Sequence, residues 1–341
     1  MAGDLVFITG ATGHVGFAVL VAALKSGYRV RASVRRQDQI ENIRSHRSVE
    51  PFVANLDFVI VPDITAHGAF DGGALHDVAY IEHIASPLPK PTEDPENDII
   101  IPAVQGTTSI LNSALKVESV RRVVITSSAV AVVPDAALSY GDSKNVYTAT
   151  SRVRPLPAAP WGDYSSTYRA SKVLALDATD RFLAERKPHF SIVNIMPGYV
   201  VGANELVSDA SSAGAGSNGV VMAVVMGQKS PHARPASVVH VHDVARIHVA
   251  ALDEVSVPGS KSFLLDSGRM SFDEVIGIVT KHFPDAVKDG TLPLGGSMPA
   301  AYQRLDVTDT IETFGPFKSF EDQVTSVVGH YLTLASKASA T

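Results

Sequence analysis

The sequence contains no cysteine, which excludes disulfide staples, thiol nucleophiles and thiolate metal sites. A strong charge of either sign is also missing. Its 29 basic and 35 acidic side chains leave a net charge of −6, which offers no electrostatic footprint for nucleic acid or an anionic membrane. No run is long and apolar enough for a membrane helix. The longest uncharged stretch, between Asp209 and Lys229, is rich in Ser and Gly in its first half. A secretory leader is not apparent either, because Gly10, Gly13 and Gly16 interrupt the first apolar segment and no charged region precedes it. Internal repeats are absent. These absences predict a soluble, cytoplasmic protein. What is present is a globular composition, 45% apolar and 19% charged over 341 residues. That length allows two or three domains, or one large α/β unit with additions.

Leu5-Val6-Phe7-Ile8-Thr9 reads as a strand buried on both faces. A glycine-rich turn follows, then apolar residues at helical spacing over 15–25, ending near Gly27. A second strand at 28–34 completes a βαβ unit. Further strands are expected at 58–61, 80–85, 123–126 and 190–195, with helices at 102–116 and 168–184. This alternation predicts a doubly wound, mostly parallel Rossmann-type α/β sheet. Residues 1–200 are assigned to a dinucleotide-binding domain with strand contributions from about 235–250. Residues 201–341 are assigned mainly to a smaller, interleaved substrate lobe. The small, polar segment 209–218 reads as a loop, either a lid or plain surface. Ser271 and Glu274 match a capping box.

Gly10, Gly13 and Gly16 stand between a strand and a helix. There, glycines let backbone approach a pyrophosphate while the helix N-terminus supplies N–H donors and a positive dipole. The alternative is a tight turn without a ligand. Thr12, His14 and Val15, beside these glycines, join them as candidate cofactor contacts. An NAD site places a carboxylate at the end of the second strand, about 20 residues on. Here that end reads Ala32-Ser33-Val34-Arg35-Arg36, with no acid and two guanidinium groups. Arginine suits a 2′-phosphate through bidentate bonds, so NADPH/NADP+ is predicted over NADH. Ser33 and Arg35 are the main expected contacts and Arg36 a helper. Asp63-Ile64 follows the third strand, where a carboxylate serves the adenine amino group or simply a turn.

Tyr168 and Lys172 are four residues apart and share one face of a helix. An ammonium near a phenol favours the phenolate, which brings a group of pKa about 10 toward proton transfer near neutral pH. Thr126-Ser127-Ser128 closes an apolar strand at the sheet's carboxyl edge, where such folds bind ligands. A serine hydroxyl there can hydrogen-bond a carbonyl oxygen.

Taken in order, these segments resemble an extended short-chain dehydrogenase/reductase. The nearest likeness is to the dihydroflavonol reductase-like group, which includes fungal and yeast ketone and aldehyde reductases. The matching pieces are Thr9-Gly10-Ala-Thr-Gly13-His-Val-Gly16, Arg31-Ala-Ser-Val-Arg35, His83-Ile-Ala-Ser-Pro87 and Asp94-Pro-Glu-Asn97. Further matches are Ile101-Pro102 with Gly106, Arg121 through Ser128, Tyr168 through Lys172, and Met196-Pro197-Gly198-Tyr-Val-Val-Gly202. The resemblance implies Ser128 as the catalytic serine, with Ser127 the fallback. It implies Tyr168 as general acid and Lys172 as the ribose-binding, pKa-lowering lysine. Ala85 and Ser86 would lie along the cofactor, and Pro197 and Val200 would pack on the nicotinamide. Family members often have Asn before the glycine at 106, whereas this chain has Gln105, which puts a proton-relay role there in doubt. The sequence after Gly202 departs further, so substrate specificity does not carry over.

His240 and His242 would face one side of a strand and lack a third ligand, so no metal site is expected. Trp161 and Tyr164 read as loop anchors or pocket walls. An apolar pocket could be lined by Pro87, Leu88, Val130, Tyr199, Met222 and Met226. The resulting expectation is an NADPH-dependent carbonyl reductase acting on an apolar or aromatic ketone or aldehyde, as a monomer or homodimer. Two other classes fit the fold: a nucleotide-sugar epimerase/dehydratase, and a non-catalytic NADP-sensing regulator.

Overall fold

The computed structural model describes residues 3–86, 91–268 and 270–338. Pro87 and Leu88 therefore lie outside the described residues. The chain forms two compact units. One comprises Met1–Val132, Thr150–Met196 and Ala245–Phe263, and the other Val133–Ala149, Pro197–Val244 and Leu264–Thr341.

In chain order the first elements are β1 (Leu5–Thr9), α1 (His14–Lys25), β2 (Arg29–Val34), α2 (Asp38–Arg44), β3 (Leu56–Ile60) and β4 (Val78–His83). Then come α3 (Ile101–Ala114), β5 (Arg122–Thr126), α4 (Asp135–Tyr140), β6 (Asp142–Tyr147), α5 (Tyr164–Arg186) and β7 (Ser191–Pro197). The main sheet has seven strands in the order Lys261–Leu265, β7, β5, β4, β1, β2, β3. The pairs β1–β2, β2–β3, β1–β4, β4–β5 and β5–β7 are all parallel. This is the doubly wound Rossmann-type α/β fold.

The register explains the uninterrupted apolar strands. Phe7, Ile81, Val123 and Ile192 are successive cross-strand partners and are wholly buried. Each contributes about 1.5–3 kcal/mol by leaving water. Helix α5 starts earlier than expected because Asp163 caps it, its Oδ1 accepting from Ser166 N at 2.8 Å. Helix α2 escapes the sequence pattern because only Ile40 and Ile43 of its seven residues are buried. A π-helical turn, Glu96–Ile100, leads into α3.

The second unit packs the helices Gly219–Val225, Glu274–His282 and Phe320–Ala338 around Val221, Val224, Val279 and Val324. Met222 lies in this core rather than lining a pocket. The loop 209–218 forms two short 3-10 turns, and Asn218 closes it by bonding both N–H and C=O of Gly202. Ser271 N–H donates to Glu274 at 3.0 Å, half of the expected capping box. Among the described residues, no helix is long and apolar enough to cross a membrane.

Candidate active site

Strand order reverses between β1 and β4, the position where doubly wound sheets leave a crevice at their carboxyl ends. Thr9 and His83 end these two strands and are register partners. Thr9 Oγ1 accepts from Ile84 N and Ala85 N, both at 3.1 Å, and lies 3.0 Å from His83 Nδ1. With its lone pairs engaged, the hydroxyl must donate to Nδ1, which leaves the ring proton on Nε2. Burial, aided by the Lys172 ammonium, pushes the pKa of His83 down to about 3, so the ring is neutral.

The glycines of the first turn have different reasons to be there. A side chain at Gly16 would meet Gly10 O at 2.0 Å, and one at Gly10 (φ +78) would meet Ala85 N at 2.7 Å. Both are demanded by the turn itself. Gly13 is not, since its nearest neighbour would be an ordinary 3.4 Å contact and its φ is −106. It caps α1 without a side-chain hydrogen bond, and the first turn carries no acid. No side-chain cap and no acid therefore meet the positive helix end there.

Lys172 occupies the turn of α5 after Tyr168. Its Nζ lies 5.7 Å from the Tyr168 ring centroid and donates to Ser86 Oγ at 2.9 Å. Burial pushes its pKa down to about 8. A cavity beside it is lined by His83, Ser86, Thr126, Ser127, Lys172 and Asn194, among others. Ser127 N donates to Ile195 O at 2.8 Å, holding the end of β5 on β7. Ser128 is buried and its Oγ accepts from Val130 N at 3.4 Å, opening a short turn.

The other predicted positions are less uniform. Ser33 is buried, with Oγ directed to Ile8 O at 3.4 Å, so it faces the neighbouring strand. Arg35 is exposed, and its backbone N is held by Gln39 at 2.9 Å. Arg36 is engaged by both oxygens of Asp38 at 3.0 Å. Asp63 Oδ1 accepts from both N and Oγ1 of Thr65, and these bonds hold its carboxyl below the usual range. These bonds form a local turn through one carboxyl oxygen. The Ile64 side chain points toward Gly106 of α3. Thr12 is exposed, while His14, Val15, Ala85, Ser86 and Tyr168 are half-buried. Pro197 ends β7 and Val200 lies in the strand Tyr199–Val201; both are buried and belong to the second unit. Gln105 is exposed on α3. Trp161 is an anchor, its Nε1 donating to Glu96 at 2.6 Å.

His240 and His242 are not strand neighbours. His240 ends the strand Val238–His240, His242 belongs to the helix Val241–Ala250, and His240 Nδ1 accepts from His242 N at 3.0 Å. Residues that sequence reasoning gave no role include Thr9, Glu82, His83, Asn194 and His248. The available signal was a polar side chain within or closing an otherwise apolar strand, and for His248, which lies in the helix Val241–Ala250, there was none.

Comparisons with known proteins agree with this geometry. The pattern of the NAD dependent epimerase/dehydratase family matches residues 6–264. Ketoreductase CTB6 of Cercospora nicotianae is 36% identical over 351 aligned positions, covering 99% of this chain and 97% of the relative. A solved reductase, studied by structure-guided engineering to attenuate substrate inhibition, superposes with a TM-score of 0.83 at 26% identity. It covers 97% of this chain and 99% of its own. Gre2 of Candida albicans, solved with NADPH, has a TM-score of 0.82 at 24% identity with the same coverage, which is a likeness of fold.

Proposed function

The chain belongs to the NAD-dependent epimerase/dehydratase family, and from that premise we propose that it is an NADPH-dependent carbonyl reductase. The observation that carries this reading is the Lys172 ammonium, buried between the Tyr168 ring and Ser86 at the end of β4. A buried cation beside a phenol makes that phenol a proton donor suited to a developing alkoxide. Relatives named as ketoreductases support the direction of the chemistry.

The residues present fit a dinucleotide. Gly13 and the uncapped start of α1 would hold the pyrophosphate, and exposed Arg35 would meet a 2′-phosphate. Arg36 reaches that phosphate only by leaving Asp38, and Ser33 only by turning outward. Ala85 and Ser86 are the proposed contacts nearer the nicotinamide. When bound, the cofactor supplies the hydride.

The chain's own groups do the rest. Ser128, or Ser127 in its place, donates a hydrogen bond to the carbonyl oxygen as negative charge grows there. Tyr168 Oη gives that oxygen its proton. Lys172 stabilises the resulting phenolate and binds the ribose hydroxyls in exchange for Ser86. The substrate is a small apolar or aromatic ketone or aldehyde. The test is to mix the purified protein with NADPH or NADH and a panel of aryl ketones, diketones and aldehydes. Alcohol formed with NADPH in preference to NADH is the expected result. Tight NADPH binding without alcohol from any substrate would overturn the reading and favour a regulator.

A further inference from the structure

Three polar side chains that this chemistry does not use, two of them completely buried, form a chain to the same cavity. The cross-strand row Ile8–Glu82–Val124–Val193 is apolar except for Glu82. Glu82 and His248 are both completely buried, and His248 Nδ1 lies 2.7 Å from Glu82 Oε2. The other ring nitrogen, Nε2, lies 3.0 Å from Thr126 Oγ1. Thr126 ends β5, lines the Lys172 cavity and stands two residues before Ser128. Burial pushes the Glu82 carboxyl up, and its Oε1 has no hydrogen-bond partner among the described residues.

Folding alone does not ask for this arrangement. An acid and an imidazole at zero exposure carry a desolvation cost of several kcal/mol, and well-packed apolar residues in their place are often neutral or stabilising. Adjacent strand residues point to opposite faces. His83 therefore secures the β1–β4 ends through Thr9, while Glu82 reaches the end of β5 through His248. The backbone bond from Ser127 N to Ile195 O holds that same end from the β7 side.

We propose that Glu82, His248 and Thr126 are positioning residues that hold the Thr126–Ser128 stretch, and with it the serine hydroxyl that meets the carbonyl oxygen. The inference rests on the reductase reading, because it assigns the chain a role in that serine's placement. A hydroxyl tethered through a bonded imidazole has one orientation, and small misplacements of a catalytic group are costly in rate.

The test uses Thr126→Val, which keeps the shape and deletes the hydroxyl, beside Thr126→Ser, which restores it. The expected result is a fall in kcat of about tenfold or more for the valine variant. KM for NADPH should stay unchanged, and the serine variant should stay within about threefold of the unmodified protein. Proton NMR of the protein alone should show a strongly downfield proton in the Glu82–His248 hydrogen bond that moves upfield in Glu82→Gln. A valine variant with full kcat, or a spectrum indifferent to Glu82→Gln, would overturn the proposal. A loss of stability without the kcat-against-KM split and the serine rescue would reduce the chain to a structural role and also overturn it. Failure of the reductase reading itself would appear earlier, as an unmodified protein that reduces no carbonyl.

Discussion

Gly13 and Gly16 look alike in sequence, yet only Gly16 is demanded by the packing of the turn itself. A methyl at position 16 collides with Gly10 O, whereas one at 13 finds an ordinary contact. Gly16→Ala is therefore expected to destabilise the protein by about 1–3 kcal/mol, as overpacking does, measurable by urea unfolding. Gly13→Ala should unfold like the unmodified protein but bind NADPH at least about tenfold more weakly, a change of about 1.4 kcal/mol, measurable by calorimetry. Lys172 makes a second residue-scale prediction. Its folded pKa of about 8 lies below the ordinary 10.5, so the unfolded chain holds more protons between those values. Stability attributable to this group therefore rises with pH across that window. Below it the buried ammonium costs about 3 kcal/mol. Lys172→Met should be more stable than the unmodified protein at neutral pH, lose that advantage between pH 8 and 10.5, and turn over no substrate. Unfolding curves at neutral and alkaline pH check the sign. At this scale the sequence shows Tyr168, Lys172 and the glycine turn plainly, because spacing on a helix or in a turn is local. It does not show that Ser33 faces Ile8, that Asp38 engages Arg36, or that Glu82 meets His248. The first and last depend on which way a strand residue points and on partners as far as 166 positions away, and the Arg36–Asp38 pair on the local geometry of a bend.

Arg122 ties the start of strand β5 to distant chain. Arg122 is wholly buried, and its Nη1 donates to Ala251 O at 2.7 Å and Asp253 O at 3.1 Å. Nη2 reaches Val257 O, and Nε donates to Ser191 Oγ at 2.8 Å. Lysine has a single nitrogen with three donors and cannot reproduce this fork. Arg122→Lys is expected to cost about 3 kcal/mol or more, since each buried carbonyl left unpaired costs about 1–3 kcal/mol. Urea unfolding monitored by circular dichroism measures it, and a loss below about 1 kcal/mol would contradict this account of β5. The elements themselves are legible where burial is continuous. Strands β1, β5 and β7 and helices α1 and α5 fall where apolar runs and 3.6-residue spacing put them. Helix α2, α4 and strand β6 are not legible, because Asp38–Arg44 and Asp142–Tyr147 bury few side chains and leave weak periodicity. Strand β4 begins at Val78 and ends at His83, short of the sequence estimate, because the chain turns where Ile84 and Ala85 bond Thr9.

The whole molecule is two interleaved units rather than two consecutive ones, each built from three chain segments. Residues 245–263 belong with the first unit and supply His248 and the carbonyls around Arg122. A fragment ending at residue 200 would leave Glu82 and Arg122 buried without these partners. It is expected to show no cooperative thermal transition, while a fragment that folds as the intact chain does would contradict this account. The parallel α/β architecture follows from the alternation of strands and helices. The strand expected from about 235–250 is Val238–His240, which pairs with Tyr199–Val201 and not with the main sheet, whose seventh strand, Lys261–Leu265, the sequence did not mark. The central claim is that Tyr168 delivers the proton to a carbonyl reduced at NADPH's expense. The most direct measurement is the rate of alcohol formation from NADPH and an aryl ketone by the unmodified protein and by Tyr168→Phe, with NADPH binding measured for both. The account predicts unchanged binding and a rate reduced by about 100-fold or more, the usual scale for losing a positioned acid. Equal rates would contradict it.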